Sequence, residues 1–126
     1  MLSTTDDLRI SELKELSTPQ EVMGEIPRTL TATRVVMAGR NAIHAILNGT
    51  DDRLLVVVGP CSVHDPVAAV EYAERLAALR EQLADRLEIV MRVYFEKPRT
   101  TVGWKGLIND PGLDGSFDIN RGLRLA

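Results

Sequence analysis

The chain has 126 residues, of which 15 are Lys or Arg and 18 are Asp or Glu, so its formal net charge is −3. This acidic balance argues against a protein that binds nucleic-acid phosphates, because such binding needs an excess of basic surface. One cysteine cannot form a disulfide framework, and no stretch approaches the roughly 20 consecutive apolar residues of a membrane span. We therefore expect a globular cytoplasmic protein in which any positive patch is local.

The first part of the chain favours helices. Thr18 followed by Pro19 is typical of a helix start, with Thr as the N-cap and Pro at the first helical position. A second helix is expected to begin at Thr29 or Thr31, because apolar residues recur after them with helical spacing. Together these segments predict a helical extension over residues 1–50.

The middle of the chain has the pattern strand, helix, strand. Residues 54–58 form a continuous apolar run, which predicts a strand buried on both faces. Asp65, followed by a proline, is suited to cap the next helix. Residues 87–94 alternate in polarity and predict a second strand, with Arg92 and Tyr94 on the same side. Two strands joined by a helix imply a parallel pair, so the fold class is α/β.

The last part of the chain predicts a long loop and then a new helix. Residues 95–116 are rich in Gly, Pro, Asn and Asp, which is typical of a functional loop. A helical pattern begins at Asp118 and reaches Ala126 without a capping residue. A complete barrel of alternating strands and helices needs about 250 residues. We therefore expect this chain to be a fragment of a larger protein.

A cluster of cations follows the second predicted strand. Its members are Arg92, Lys97, Arg99 and Lys105, and the acidic residue among them is Glu96. Because parallel α/β folds carry their sites at the carboxyl ends of strands, this cluster predicts a local anion site. An arginine fork suits carboxylate or phosphate, whereas a lysine is a mobile point charge. The alternative is a solvated loop face whose cations form weak surface pairs.

Cys61 lies just after the first predicted strand. As a thiolate it can act as a soft ligand for a transition metal, or as a nucleophile beside a histidine. The alternative is a small buried hydrophobic residue, which is the more frequent role of a lone cysteine. His64 follows closely, but one Cys-His pair supplies at most two of the usual four or so ligands. Trp104 is expected to anchor the later loop by packing.

Two uninterrupted segments resemble one enzyme family. They are residues 54–66, LLVVVGPCSVHDP, and residues 91–107, MRVYFEKPRTTVGWKGL. Their order and sequence closely resemble 3-deoxy-D-arabino-heptulosonate 7-phosphate (DAHP) synthase of the class found in enteric bacteria and yeast. The resemblance implies the N-terminal part of a (β/α)8 TIM barrel, preceded by the helical extension. It also implies condensation of phosphoenolpyruvate with erythrose 4-phosphate, which gives DAHP and phosphate as the first step towards aromatic amino acids.

The resemblance also implies roles for residues of both segments. Cys61 corresponds to a ligand of a divalent metal, which in this family is Mn, Fe, Zn or Co, and Arg92 and Lys97 correspond to phosphoenolpyruvate contacts. Lys97 is the implied catalytic residue. The implied contacts to erythrose 4-phosphate are Lys97, Pro98, Arg99 and Thr100. The family's other metal ligands, a His, a Glu and an Asp, are expected downstream of this chain, which we therefore expect to be inactive alone.

Residues 1–50 correspond to the family's extension for subunit assembly and feedback inhibition, and residues 51–126 to the first units of the barrel. Asp6 and Asp7 resemble the part of the extension that reaches the site of an aromatic amino-acid inhibitor. A homo-oligomer is implied for the full-length protein. One alternative stays open at this point, a non-catalytic piece that docks on a full-length synthase. The related synthase that makes 3-deoxy-manno-octulosonate phosphate is disfavoured, because the run from Lys97 to Thr100 resembles the heptulosonate enzyme.

Overall fold

The computed structural model describes residues 9–10, 12–98 and 101–126. The elements in chain order are α1 (Pro19–Glu25), α2 (Leu30–Leu47), β1 (Leu54–Val58), α3 (Pro66–Gln82), β2 (Leu87–Met91) and α4 (Ile119–Leu125). The proposed site residues Asp6, Asp7, Arg99 and Thr100 lie outside the described residues. Within the described ranges, no helix is both long and apolar enough to cross a membrane.

The helices begin at the capping residues that the sequence predicts. The side chain of Thr18 accepts a hydrogen bond from the Glu21 amide, and the Glu21 carboxylate accepts one from the Thr18 amide, which forms a capping box. Thr29, one of the two predicted starts, caps α2. Asp65 caps α3 by accepting hydrogen bonds from two amides of its first turn. Each cap satisfies amides that have no partner inside the helix.

The two strands pair in parallel, as the strand–helix–strand order predicts. Leu54 lies opposite Leu87, and the register continues to Val58 opposite Met91. The second strand ends at Met91 and not at the predicted Tyr94, because β1 ends at Val58 and offers no further ladder partners. The α/β class is therefore confirmed, with a sheet of two strands in the part of the chain that the structure describes.

The prediction that β1 is buried on both faces is wrong for this chain. Leu54 is 65% exposed and Val57 is 61% exposed. Since side chains alternate along a strand, these two residues lie on opposite faces, and neither face is fully covered. A second uncovered surface is an apolar groove of about 490 Å³ between α2, α3 and β2, lined by residues that include Val36, Ile43 and Leu76.

The segment before α1 is fastened to the last helix. The amide of Ser17 donates to the side chain of Asn120 at 2.8 Å, and Asn120 donates to the Glu15 carbonyl at 3.0 Å. Arg124 forms an ion pair with Glu25 at 2.6 Å. These contacts join residues about one hundred positions apart, so they hold the beginning of the described chain against α4.

Candidate functional site

The segments that follow β1 and β2 are joined at the carboxyl end of the sheet. The amide of Arg92 donates to the Val58 carbonyl at 2.8 Å, and the amide of Val63 donates to the Tyr94 carbonyl at 2.7 Å. A Cβ atom on Gly59 would lie 2.4 Å from the Arg92 carbonyl oxygen, so only glycine permits this close approach. The two strand-end segments therefore form one continuous surface.

Cys61 and Lys97 meet on this surface. The Lys97 Nζ lies 3.1 Å from the Cys61 Sγ, although the residues are 36 positions apart in the chain. The hydrogen bond and the positive charge of Lys97 lower the pKa of the Cys61 thiol, with a smaller contribution from Arg92. Cys61 is exposed, so the interpretation as a small buried hydrophobic residue is wrong. The arrangement favours a thiolate, the form in which cysteine binds metals.

Arg92 is held from two directions. Its Nη1 donates to the carbonyl oxygens of Pro60 at 3.0 Å and Cys61 at 2.9 Å. Its Cζ lies 4.9 Å from the centre of the Tyr94 ring, within the range of a cation–π contact. Arg92 and Lys97 thus approach the same cysteine residue, one at its backbone and the other at its sulfur.

Lys97 is positioned by a short backbone pairing. Glu96 forms an isolated antiparallel bridge with Gly106, and the amide of Lys97 donates to the Lys105 carbonyl at 3.1 Å. Gly106 has a φ of 110°, a conformation that L side chains rarely adopt, and its Cβ would meet the Phe95 carbonyl oxygen at 2.2 Å. The loop after β2 is therefore an ordered support on this side of the site.

The rest of the loop is organised around Asp110. Asp110 is only 5% exposed, and its carboxylate accepts hydrogen bonds from the amides of Gly115 and Phe117. Its backbone carbonyl accepts a hydrogen bond from the Trp104 indole at 2.7 Å. Leu107, at 1% exposure, packs beneath the loop. Trp104 thus anchors the loop through a hydrogen bond, and its predicted packing role stays a prediction.

The structure brings together three of the predicted site residues: Arg92, Lys97 and Cys61. Pro98 follows Lys97 directly and is exposed. The predicted roles of Arg99, Thr100, Asp6 and Asp7 fall outside the described residues.

Sequence reasoning missed the supporting residues Tyr94, Asn109 and Asp110. The alternation along the second predicted strand placed Tyr94 on the same side as Arg92. The sequence therefore held a signal for this contact, although it was not interpreted as one between ring and guanidinium. Asn109 donates from its Nδ2 to the Glu96 carboxylate at 3.0 Å and to the Lys105 carbonyl at 3.3 Å. No sequence pattern reveals such a bridge within an irregular loop.

The donor set at Cys61 fits one corner of a metal site. An exposed thiol with a lowered pKa is a soft donor that suits divalent transition metals. Among the residues that the structure describes, no group of three or more His, Cys, Asp or Glu side chains is placed to hold a metal ion. The described residues therefore supply a single ligand, and a complete site needs others.

These features define a parallel α/β unit with a cationic cluster beside a thiol at its strand ends. The sequence model of the DAHP synthetase I family matches residues 18–126. Since this match covers most of the chain, the chain belongs to the DAHP synthetase I family.

Similar proteins agree with this assignment. The Phe-sensitive phospho-2-dehydro-3-deoxyheptonate aldolase of Escherichia coli K12 is 69% identical over 121 residues, which are 96% of this chain and 35% of that protein. The Trp-sensitive protein of Enterobacter agglomerans is 58% identical over 125 residues, which are 99% of this chain and 36% of that protein. The solved aldolase of Francisella tularensis SCHU S4 superposes with a TM-score of 0.86 at 51% identity, covering 92% of this chain and 34% of its own. The chain thus spans about a third of the length of the relatives that it matches.

Proposed function

We propose that this chain forms part of a DAHP synthase that condenses phosphoenolpyruvate with erythrose 4-phosphate and consumes one water molecule as phosphate is released. The observation that carries the proposal is the convergence of Arg92, Lys97 and Cys61 at the carboxyl ends of two parallel strands. This is the edge at which barrel enzymes place their chemistry. Membership of the DAHP synthetase I family and the printed names of the similar aldolases support the same activity.

In this proposal, the cations bring two mutually repelling anions together. Arg92 and Lys97 bind the carboxylate of phosphoenolpyruvate, and Lys97 and Pro98 border the aldehyde of the second substrate. Arg99 and Thr100 bind the phosphate of erythrose 4-phosphate. Holding both substrates in contact removes much of the entropic barrier to forming the carbon–carbon bond between enol carbon and aldehyde carbon. The positive charge of Lys97 then stabilises the negative charge that develops on the aldehyde oxygen.

Cys61 is the residue of this chain that would hold a divalent metal. Its lowered pKa favours the thiolate form that a metal requires. When bound, the metal supplies Lewis-acid polarisation of the aldehyde. Because the described residues offer one ligand, we propose that the others come from the part of the protein that corresponds to the remaining length of its relatives.

The architecture that we propose for the whole protein is a (β/α)8 barrel. The parallel strands and the connecting helix α3 support it. The apolar groove between α2, α3 and β2 would then be covered by later elements of the barrel. Burial of an apolar surface of this kind is favourable, and closure of the sheet removes its unpaired edges.

We further propose inhibition by an aromatic amino acid, with residues 1–50 as the regulatory and assembly extension of a homo-oligomer. Two similar proteins are named for sensitivity to phenylalanine and to tryptophan. Asp6 and Asp7 are the proposed contacts to the inhibitor site. Replacing both with Asn should weaken inhibition and leave the uninhibited turnover unchanged, as measured by inhibitor titration of the complete gene product.

The direct test is an assay of the complete gene product, meaning the protein as its whole gene encodes it. With both substrates and a divalent metal, it should form DAHP and phosphate in equal amounts, whereas the 126-residue chain alone should show no turnover. Absence of DAHP from the complete gene product would overturn the proposal. Preference for a five-carbon aldose phosphate would instead assign the related octulosonate-forming reaction, since phosphoenolpyruvate contributes the other three carbons.

A further inference from the structure

The ring of Tyr94 lies against the guanidinium of Arg92. The Arg92 Cζ is 4.9 Å from the centre of the ring, close enough for attraction between the cation and the aromatic face. Both residues lie just after the end of β2, two positions apart in the chain. The contact therefore forms at the carboxyl end of the sheet, where the candidate site lies.

The ring and two backbone carbonyls restrict Arg92 in different ways. The carbonyls of Pro60 and Cys61 both accept hydrogen bonds from Nη1, which fixes one end of the guanidinium. The ring lies against the face of the group and limits rotation about that end. The N–H donors on Nε and Nη2 take no part in these two backbone bonds. A freely rotating arginine would lose more side-chain entropy on binding an anion than Arg92, whose guanidinium is already restrained.

Tyr94 is itself fixed in place. Its carbonyl oxygen accepts a hydrogen bond from the Val63 amide at 2.7 Å, which ties it to the segment that carries Cys61. Tyr94 is 38% exposed and lies outside the buried core of Val63, Ile89 and Leu107. Within the part of the chain that the structure describes, the specific interaction recorded for its ring is the contact with Arg92.

We propose that Tyr94 is a positioning residue that holds Arg92 in the orientation required for the carboxylate of phosphoenolpyruvate. This inference rests on the proposed function, and it adds a residue that acts through Arg92 without touching the reacting atoms. The aromatic face provides the effect, and the phenolic hydroxyl is not required. The ring therefore matters for the affinity of one substrate more than for the chemical step.

The test compares Tyr94→Phe and Tyr94→Leu in the complete gene product. Tyr94→Leu should raise KM for phosphoenolpyruvate about three- to tenfold, as expected for loss of one cation–π contact, with little change in kcat. KM for erythrose 4-phosphate should stay constant. Tyr94→Phe keeps the ring and should retain the wild-type KM. Tyr72→Leu on α3 is the matched control, because Tyr72 is 37% exposed and should leave both KM values unchanged.

Three kinetic results would overturn the inference. They are a wild-type KM for phosphoenolpyruvate in Tyr94→Leu, an equal rise of that KM in Tyr94→Phe, or the same rise in KM for both substrates in Tyr94→Leu. Crystal structures of the wild-type protein and Tyr94→Leu provide a readout that does not depend on activity. The guanidinium of Arg92 should leave the carbonyls of Pro60 and Cys61 in the variant, and its retention there would also overturn the inference. A wild-type protein without DAHP formation would instead refute the proposed function.

Discussion

The two ends of the β1–β2 pair differ in how their charges are balanced. At the amino end, Glu88 has a side chain only 5% exposed and accepts hydrogen bonds from Arg53 and Arg80, both at 2.8 Å. Arg53 also pairs with Asp51 at 2.8 Å. At the carboxyl end, Arg92 and Lys97 contact carbonyl oxygens and a thiol. Among the described residues, neither forms an ion pair with a carboxylate.

This difference separates structural charges from charges available to a ligand. Carboxylates and guanidinium groups at the amino end satisfy one another and join the segment before β1 to α3 and β2. The cations at the carboxyl end keep an excess positive charge that an anionic substrate can neutralise. Barrel enzymes show the same division, with stability at the amino face and chemistry at the carboxyl face. Substitutions at the two ends should therefore affect different measurements.

The largest effect is expected at the carboxyl end, for Lys97→Met. Loss of the ammonium would remove the proposed substrate contact and the proposed stabilisation of developing negative charge, so kcat should fall about 10²- to 10³-fold. Steady-state kinetics of the complete gene product measures this effect. Lys14→Met is the matched control, because Lys14 is exposed and pairs with Glu12 on the surface. Near-normal kcat in Lys97→Met would contradict the assignment of catalysis to this end.

The next effect concerns the joint between the strand-end segments. Gly59→Ala would place a methyl group 2.4 Å from the Arg92 carbonyl oxygen and should force the segments apart. We expect a loss of about 2–3 kcal/mol in the free energy of unfolding, together with weaker phosphoenolpyruvate binding. Gly24→Ala in α1, where a Cβ meets nothing within 4 Å, should be neutral or slightly stabilising. Equal denaturation midpoints for the two variants would show that the close approach is not required.

Glu88→Ala tests the amino end and should lower stability without lowering kcat. The substitution leaves Arg53 with Asp51 but deprives Arg80 of its partner. Because the Arg80 side chain is 41% exposed, water compensates part of the loss, and we expect about 1–2 kcal/mol. Urea denaturation and kinetics of the complete gene product measure the two quantities. Glu81→Ala, at an exposed position on α3, is the control. A large fall in kcat for Glu88→Ala, but not for Glu81→Ala, would contradict the assignment of stability to the amino end and chemistry to the carboxyl end.

The smallest effect is a pH dependence at Asp51. Hydrogen bonds from Arg53 lower the pKa of the Asp51 carboxyl below its ordinary value of 3.8. A carboxyl with a lowered folded-state pKa adds stability above its unfolded pKa, and this stability is lost as the pH falls through the folded-state value. Asp51→Asn should therefore be less stable than the wild type near neutral pH, with the difference shrinking below about pH 4. A difference that stays constant into acid would contradict this coupling.

Local patterns in the sequence predicted much of the fold. Thr18, Thr29 and Asp65 cap helices because their side chains reach amides only two or three residues away. The two strands and their parallel pairing follow from apolar runs separated by a helix. The predictions failed where distant parts of the chain decide the outcome. Burial of β1 depends on what covers its faces, and the end of β2 depends on the length of its partner strand.

The candidate site shows the same limit. Arg92, Lys97 and Cys61 were identifiable because strand ends and residue chemistry mark them. The alternation along the second predicted strand placed Tyr94 on the same side as Arg92, but it did not predict the contact between ring and guanidinium. The Asn109 bridge to Glu96 depends on the path of an irregular loop, for which no periodic pattern exists. Hydrogen bonds in such segments form between whichever groups the packing brings within reach.

The sequence by itself determined which residues can cap the helices, which runs form strands and which residues are candidates for the chemistry of the site. These properties depend on neighbours along the chain, whose spacing is set by covalent geometry. Only the tertiary structure decided that Lys97 lies 3.1 Å from the Cys61 sulfur and that Glu88 is enclosed between two arginines. Those contacts depend on strand register and loop path, because hydrogen bonds and ion pairs form only within a few ångströms.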